Sequence, residues 1–370
     1  MKVLHCIPGM GGGGAERQLT YLAGGLRTRG WEVHVALARS GPNLARLEAQ
    51  HTIVHRVGAG GNHDPRIATR LARVFSRVRP DIVQVWFIQM EVVGGLLARM
   101  FHVPWIMSER SSLLAYPPTI KNGIRVRLGR QADAIVANSD GGRRYWVERL
   151  AGGPAPVVIP NGVPLQEIDA ALPAVPDALP IRAGDRIVLF AGRFGAEKNI
   201  ETLIDALATV VDQPGVCAIL CGDGPLYGAV KGRVTASGLD GRVFTPGYVE
   251  DLWPLMKRAS VLVSVGLFEG RPNVVIEAMA ARCPVVVSDI AAHREILDDA
   301  SARWVQADDA ASVAEGIRAV LANSQAASAQ AARARQIAEG WSIEAAAEAY
   351  DRVYRDVIAR ARRNVPPQGS

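Results

Sequence analysis

Glu269 and Glu277, with seven residues between them in Phe268-Glu-Gly-Arg-Pro-Asn-Val-Val-Ile-Glu-Ala-Met-Ala, are the most specific chemical feature of this chain. The string follows the apolar run Val261 to Val265, which reads as a strand, and ligands of open α/β sheets gather beyond the carboxyl ends of the strands. Asn273 is placed to cap the helix that follows, whose first N–H groups can face an anion. Glu277 then falls about one turn inside, where its two oxygens can accept from the paired hydroxyls of a ribose. A capping carboxylate and a surface glutamate would explain each residue alone, but not the whole string.

Gly192-Arg-Phe-Gly-Ala-Glu-Lys-Asn also follows a strand and precedes a helix, which brings Arg193 and Lys198 to the same sheet edge as Glu269. Lysine is scarce, five against 37 arginines, so its use here is selective. Two fixed cations can hold a diphosphate and absorb the charge that grows as it leaves, an effect of about 3 kcal/mol per group. Read without the glutamates, the same residues are solvated loop charge. Gly11 to Gly14 ahead of Ala15-Glu16-Arg17 lets backbone approach a ligand at a helix start, or simply makes a tight turn. Its spacing differs from the dinucleotide fingerprint. His51 and His55 lie in a strand-like stretch without acidic or cysteine neighbours, and no Asp-x-Asp occurs, so no metal site is expected. Cys217 and Cys221 read as reduced core residues of a buried strand, and Cys6 and Cys283 are likewise too apolar in context to staple a fold.

The elements that must position these groups follow from length and pattern. The 370 residues exceed one hydrophobic core, and 49 % hydrophobic with 21 % charged residues is ordinary globular composition, which excludes disorder and collagen-like repeats. Strands are expected at Lys2 to Ile7, Trp31 to Ala38, Ile82 to Trp86, Trp105 to Met107 and Ala134 to Ala137, alternating with helices such as Ala15 to Arg29. Seven of the 22 prolines fall in 151–185, marking a connection. A second cycle then runs through Ile187 to Ala191, a helix capped by Asn199 and ending at Val211, Val216 to Cys221, Val261 to Val265 and Val285 to Val287. Glu344 to Arg363 forms an amphipathic helix with Tyr350, Val353, Tyr354, Val357 and Ile358 on one face.

These motifs resemble those of the family-4 group of retaining glycosyltransferases (glycosyl transferases group 1). The likeness runs from Gly-Gly-Ala-Glu-Arg near the start through Ile159-Pro-Asn-Gly-Val, Gly192-Arg-Phe and Gly222-Asp-Gly-Pro to the paired glutamates and Pro284-Val-Val. It implies an α/β fold of GT-B architecture, two Rossmann-like domains facing a central cleft: residues 1–165 for the acceptor, 166–340 for the nucleotide sugar, a helix at 341–363 crossing back to the first domain, and a tail at 364–370. By the resemblance Glu269, Arg193 and Lys198 are catalytic. Arg193 and Lys198 grip the donor diphosphate, Glu277 the ribose, and Glu269 the sugar hydroxyls near the reacting carbon. Backbone of Gly270, Arg271 and Asn273 assists, Gly12, Gly13 and Gly14 close on the donor, and Tyr248 and Val249 read the nucleobase. The expected co-substrate is a UDP-linked hexose or N-acetylhexosamine, with no cofactor or metal required, and the acceptor a glycan or polyprenyl-linked lipid. Where many members carry a histidine after the strand at Trp105, this chain reads Ser108-Glu-Arg-Ser, so Glu109 and Arg110 are acceptor-side candidates that take over contacts to the donor sugar or to an anionic acceptor, or else a local ion pair in a loop.

The formal charge of +6 hides an asymmetry: residues 1–160 carry 21 Lys+Arg and 10 Asp+Glu, hence +11, while the remainder carries 21 and 26, hence −5. Ile67, Leu71, Val74, Phe75 and Val78 form an apolar helical face that fits packing on a sheet. Arg66, Arg70, Arg73, Arg77 and Arg79 cover much of the opposite side, and Arg125, Arg127, Arg130, Arg143 and Arg144 add to the basic character. An anionic membrane surface is the expected partner, each arginine contributing up to about 1 kcal/mol. Nucleic acid is not expected, because aromatics are 6 % of the chain and no stacking run accompanies the arginines. The start of the chain lacks the apolar core of a signal peptide and no run reaches the roughly 20 residues of a membrane span, so a cytoplasmic enzyme, peripheral on the inner face of the membrane, is expected. A sugar-nucleotide epimerase of the same fold and a non-catalytic sensor are the rival readings.

Overall fold

The computed structural model describes residues 1–58, 64–110, 119–150 and 153–363, the side chain of Lys121 excepted; Ser111 and the 364–370 tail lie outside them. The chain divides into two compact units, Met1–Gly162 with Ile343–Ser370, and Val163–Ser342, where the sequence reading set boundaries at 165 and 340.

The first unit runs β1 (Lys2–Gly9), α1 (Gly14–Thr28), β2 (Glu32–Arg39), α2 (Asn43–Ala49), β3 (Ile53–Arg56), α3 (Arg66–Val78), β4 (Ile82–Trp86), α4 (Phe87–Met100), β5 (Trp105–Glu109), α5 (Ile120–Gly129), β6 (Ala134–Ala137), α6 (Asp140–Val147) and β7 (Val157–Val158). The second contains α7 (Leu165–Ala170), β8 (Arg186–Ala191), α8 (Ile200–Val210), β9 (Val216–Cys221), α9 (Tyr227–Ala236), β10 (Val243–Gly247), α10 (Trp253–Arg258), β11 (Val261–Ser264), α11 (Asn273–Ala280), β12 (Val285–Ser288), α12 (Ala291–Arg294), β13 (Arg303–Val305), α13 (Ala310–Ala322) and α14 (Ser324–Glu339). The last helix, α15 (Ile343–Arg363), belongs to the first unit.

Both sheets are parallel. Their orders are β3-β2-β1-β4-β5-β6-β7 and β10-β9-β8-β11-β12-β13, so each unit begins in the middle of its sheet and builds outward to both sides. Parallel strands buried on both faces need unbroken apolar runs, and Val216–Cys221 is buried at all six positions. In the first unit α1, α2 and α15 cover one face and α3, α4, α5 and α6 the other. Tyr350, Tyr354, Val357 and Ile358 of α15 complete the core on the α1 side. In the second unit α8, α9 and α13 cover one face, and α7, α10, α11 and α14 the other. All four cysteines are buried and free, and burial pushes each thiol up, Cys217 to about 11 and Cys221 to about 12.

Two local expectations are corrected. Asn199 precedes α8 in the left-handed region (φ 53°), but its side chain caps nothing: Nδ2 donates to the carbonyls of Val265 (3.3 Å) and Ala307 (2.5 Å). Asn273 is the first residue of α11 and Pro272 holds the cap position. Proline suits a helix start because its missing N–H would have no intrahelical partner there.

Candidate functional site

A doubly wound sheet opens a crevice where its order reverses, between the first strand and the neighbour on its other side. In the second unit that point lies between β8 and β11, and the loops after these two strands carry Arg193, Lys198 and Glu269. The loops are laced together: Leu267 N–H donates to the Glu197 carbonyl at 2.9 Å, and Asn199 reaches Val265. Lys198 sits at the end of a 3-10 turn, Ala196–Lys198, and its Nζ donates to Glu269 Oε1 in a half-shielded ion pair. Arg193 is exposed at the same edge.

Beyond Glu269 the chain enters α11, whose first turn carries N–H groups suited to an anion. Arg271 turns its side chain inward, 4.7 Å over the Trp341 ring and 3.8 Å from Glu295, and burial lowers its pKa to about 10. Gly270, Arg271 and Asn273 form the bend into α11, where Asn273 N–H donates to the Arg271 carbonyl at 2.9 Å. Glu277 is buried in α11 and accepts from Trp253 Nε1 at 3.1 Å. One of its two oxygens is thus held by α10, where the sequence reading gave both to a ribose. Tyr248, half exposed, and Val249 follow β10 at the carboxyl edge of the sheet.

Gly222-Asp-Gly-Pro has a steric role. Gly222 follows β9 with φ 146°, and a Cβ there would lie 1.8 Å from the Gly192 carbonyl oxygen, so only glycine allows the β8 and β9 loops to approach. Gly222→Ala should cost about 1–3 kcal/mol of stability, read as a lowered thermal midpoint, and should displace the Arg193 loop. An unchanged midpoint would remove this account of the motif.

Sequence reasoning missed His293. It is fully buried behind the Glu269 loop, with Nδ1 2.8 Å from the Ser288 carbonyl and Nε2 3.4 Å from Ser264 Oγ. A carbonyl can only accept, so the proton sits on Nδ1. Burial pushes its pKa down and keeps it neutral. Ser288 Oγ donates to the Gly266 carbonyl at 2.7 Å, so β12 and α12 brace the loop from below. A lone histidine in Ile290-Ala-Ala-His-Arg carries no motif, and only its position after a strand could have drawn notice.

In the first unit Gly12 and Gly13 are exposed between β1 and α1, and α1 begins at Gly14. Gln18 of α1 binds Gly162 reciprocally, donating to its carbonyl at 2.9 Å and accepting from its N–H at 2.8 Å. This explains Ile159-Pro-Asn-Gly-Val as a pinned segment. Arg110 lies just past β5, 4.3 Å over the Trp86 ring, and donates to Asn161 Oδ1 and Tyr350 Oη, each at 2.8 Å.

Glu109 requires correction as an acceptor-side candidate. β5 runs on to Glu109 and buries its carboxylate completely, where it accepts from Arg125 Nη2 at 2.8 Å and Trp146 Nε1 at 2.9 Å. Arg125 also reaches Glu91 through Nε at 2.6 Å. Arg125 is therefore a core residue and leaves the basic surface to which its charge had assigned it. Among the described residues no group of three or more His, Cys, Asp or Glu side chains is arranged for a metal ion; His55 instead lies 3.0 Å from His34, which contacts Glu32.

Two units, each built on a parallel Rossmann-like sheet and the second with charged loops at its switch point, fit the GT-B architecture. The chain belongs to glycosyltransferase family 4: residues 12–167 match Glycosyltransferase Family 4 and residues 173–337 match Glycosyl transferases group 1. It is 29 % identical over 349 residues to the phosphatidyl-myo-inositol mannosyltransferase of Mycobacterium tuberculosis, covering 84 % of each chain. It is 28 % identical over 357 residues to the lipopolysaccharide core biosynthesis glycosyltransferase LpsE of Rhizobium meliloti, covering 95 % of this chain and 98 % of that one. Its fold is similar to that of Anabaena HepE in complex with UDP and glucose, with a TM-score of 0.84 at 22 % identity, over 96 % of this chain and all of the other.

Proposed function

We propose that this glycosyltransferase is a retaining enzyme that moves a hexose or N-acetylhexosamine from a UDP-sugar to a glycan or polyprenyl-linked acceptor, in cell-surface polysaccharide or glycolipid synthesis. The observation that carries the reading is the Lys198–Glu269 pair at the switch point of the second unit, with Arg193 and the α11 start beside it. Without a ligand, ammonium and carboxylate satisfy each other. An arriving diphosphate competes for Lys198, which turns to the phosphate together with Arg193, and Glu269 is released to accept from the sugar hydroxyls. UDP leaves as the anomeric C–O bond to phosphate breaks, and the acceptor oxygen forms its bond on the same face. The departing phosphate oxygen takes the acceptor's proton, so no protein base is needed. Lys198 and Arg193 stabilise the charge on the leaving group. The chain's own charges suffice for this, without a metal or cofactor.

The names of the relatives support the substrate classes: HepE was solved with UDP and glucose, and the mycobacterial relative is named for transfer to a phosphatidyl-inositol. Arg110, fixed at the carboxyl edge of the first sheet, is the proposed acceptor-side cation. An anionic membrane surface on the cytoplasmic side is the proposed partner of the basic unit; among the described residues no helix is long and apolar enough to cross a membrane.

Incubation with a panel of radiolabelled nucleotide sugars and membrane extract tests the reading. Label entering a lipid or glycan supports it; label retained only as bound nucleotide indicates a sensor, and interconversion of the free sugar nucleotides an epimerase. Glu277→Ala should weaken UDP-sugar binding about 10- to 100-fold, with turnover at saturation largely kept, as calorimetry and initial rates will show. Unchanged affinity would remove Glu277 from the donor site.

A further inference from the structure

We infer that the outward face of α3, α4 and α5 is the surface on which the chain lies against an anionic lipid leaflet, with Leu96, Met100 and Ile124 entering the headgroup boundary. This rests on the membrane partner proposed above and adds the face, the inserted side chains and the charge that surrounds them.

The three helices form one layer over the first sheet, α3 beside α4 and α4 beside α5. Gly94 and Gly95 press α4 close to the sheet, where a Cβ would stand 2.8 Å from Val85 and 3.0 Å from Trp105. The opposite side of α4 is left to Leu96, Arg99 and Met100, one stripe at i, i+3 and i+4. Leu96 is 50 % exposed and Met100 63 %. On α5 the outer stripe is Ile120, Ile124 and Arg127, and Ile124 is 45 % exposed. On α3 it is Arg66, Arg70, Arg73 and Arg77; Arg73 and Arg77 are exposed, while Arg66 is paired with Asp64 at 2.6 Å. Large apolar side chains are thus left exposed on helices whose inner faces are already filled.

The charge decides the occupant. Glu91 is the only acidic residue in α3, α4 and α5, and it is buried against Arg125. Apart from Asp64 just before α3, which neutralises Arg66, the outer face is therefore positive and apolar, with no exposed carboxylate in its helices. A second copy docked by the same face across a two-fold axis would set arginines against arginines. Nucleic acid would match the charge but not the exposed aliphatic side chains, which gain nothing against phosphate. An anionic leaflet meets both requirements, taking the guanidinium groups at its headgroups and the aliphatic side chains just beneath.

Flotation of the full chain with vesicles of phosphatidylglycerol and phosphatidylcholine, against phosphatidylcholine alone, tests this directly. The wild type should float with the anionic vesicles. Leu96→Ser/Met100→Ser/Ile124→Ser should lower the bound fraction about tenfold, and Arg73→Glu/Arg77→Glu/Arg127→Glu should abolish binding. Thermal midpoints and UDP affinity, measured on the same samples, should stay at wild-type values and so separate loss of docking from loss of fold. Failure of the wild type to float would overturn the proposal. So would flotation of the serine variant at the wild-type level, or sedimentation in which it disperses a self-associated species without changing flotation. Transfer to a detergent-dispersed acceptor, assayed in parallel, reports on the glycosyl-transfer reading whatever the vesicles show.

Discussion

Glu269→Ala should lower turnover about 10²- to 10³-fold while leaving the dissociation constant for UDP within a few-fold of wild type, the loss expected when an aligned group acting in the transition state is removed. Glu269 lies at the loop after β11 with Lys198 as its partner, and in the proposed reaction it faces the reacting end of a donor whose diphosphate is held by the cations. Lys198→Ala should cost turnover on a similar scale and weaken UDP binding as well, because its charge serves the phosphate in both ground and transition states. The two residues act as one unit, so the double variant should lose little more than the worse single variant. Glu269→Gln keeps the shape but accepts hydrogen bonds less strongly, and should fall between. Wild-type rates for Glu269→Ala would remove the assignment, and fully additive losses would remove the coupling.

Arg125→Met should destabilise the first unit by about 3–5 kcal/mol, since it strips the guanidinium from between two fully buried carboxylates. Chemical denaturation should show the drop, and a loss under about 1 kcal/mol would contradict the burial. The same cluster predicts a pH dependence. Glu91 and Glu109 share one guanidinium away from water, and burial pushes Glu91 up to about 7, with the Glu109 charge adding to the effect and Arg125 opposing it. In the unfolded chain Glu91 titrates near the ordinary 4.5. Between these values the folded state binds the extra proton, so stability is lost as pH rises from about 4.5 to about 7 and levels off above. The span corresponds to about 3 kcal/mol from this group. Glu91→Gln holds no titrating proton and should flatten that part of the stability profile relative to wild type; an unaltered slope would place the titration elsewhere.

Much of the fold was legible in the sequence because a parallel sheet covered on both sides writes itself as short unbroken apolar runs. Ile82–Trp86, Ala134–Ala137 and Val216–Cys221 are strands over the residues their composition indicates. The edge strands β10 and β13 were not read, being shorter or more polar. β5 was read two residues short, because Ser108 and Glu109 look like loop residues until their partners are known. Arg125 lies sixteen positions from Glu109 and thirty-four from Glu91, and no local pattern announces such a triad. For the same reason Arg125 passed for surface charge. At the site, the strand-loop-helix positions of Lys198, Glu269 and Glu277 followed from spacing alone. Trp253 on Glu277 and His293 behind the loop depend on how separate elements pack, and so became visible only in three dimensions. Asn199 and Asn273 passed for helix caps because residue type suggests a cap while backbone geometry decides it.

The placement of α15 has a consequence for how the protein is made. The first unit needs Tyr350, Tyr354, Val357 and Ile358 to close its core, yet the whole of Val163–Ser342 is synthesised before them. At about 5–20 residues per second, the nascent first sheet waits roughly 10–40 s with its α1 side uncovered. The second unit is contiguous in sequence and can close as soon as it leaves the ribosome. The half made first is therefore finished last, and its open apolar face is where a holding chaperone would act during translation.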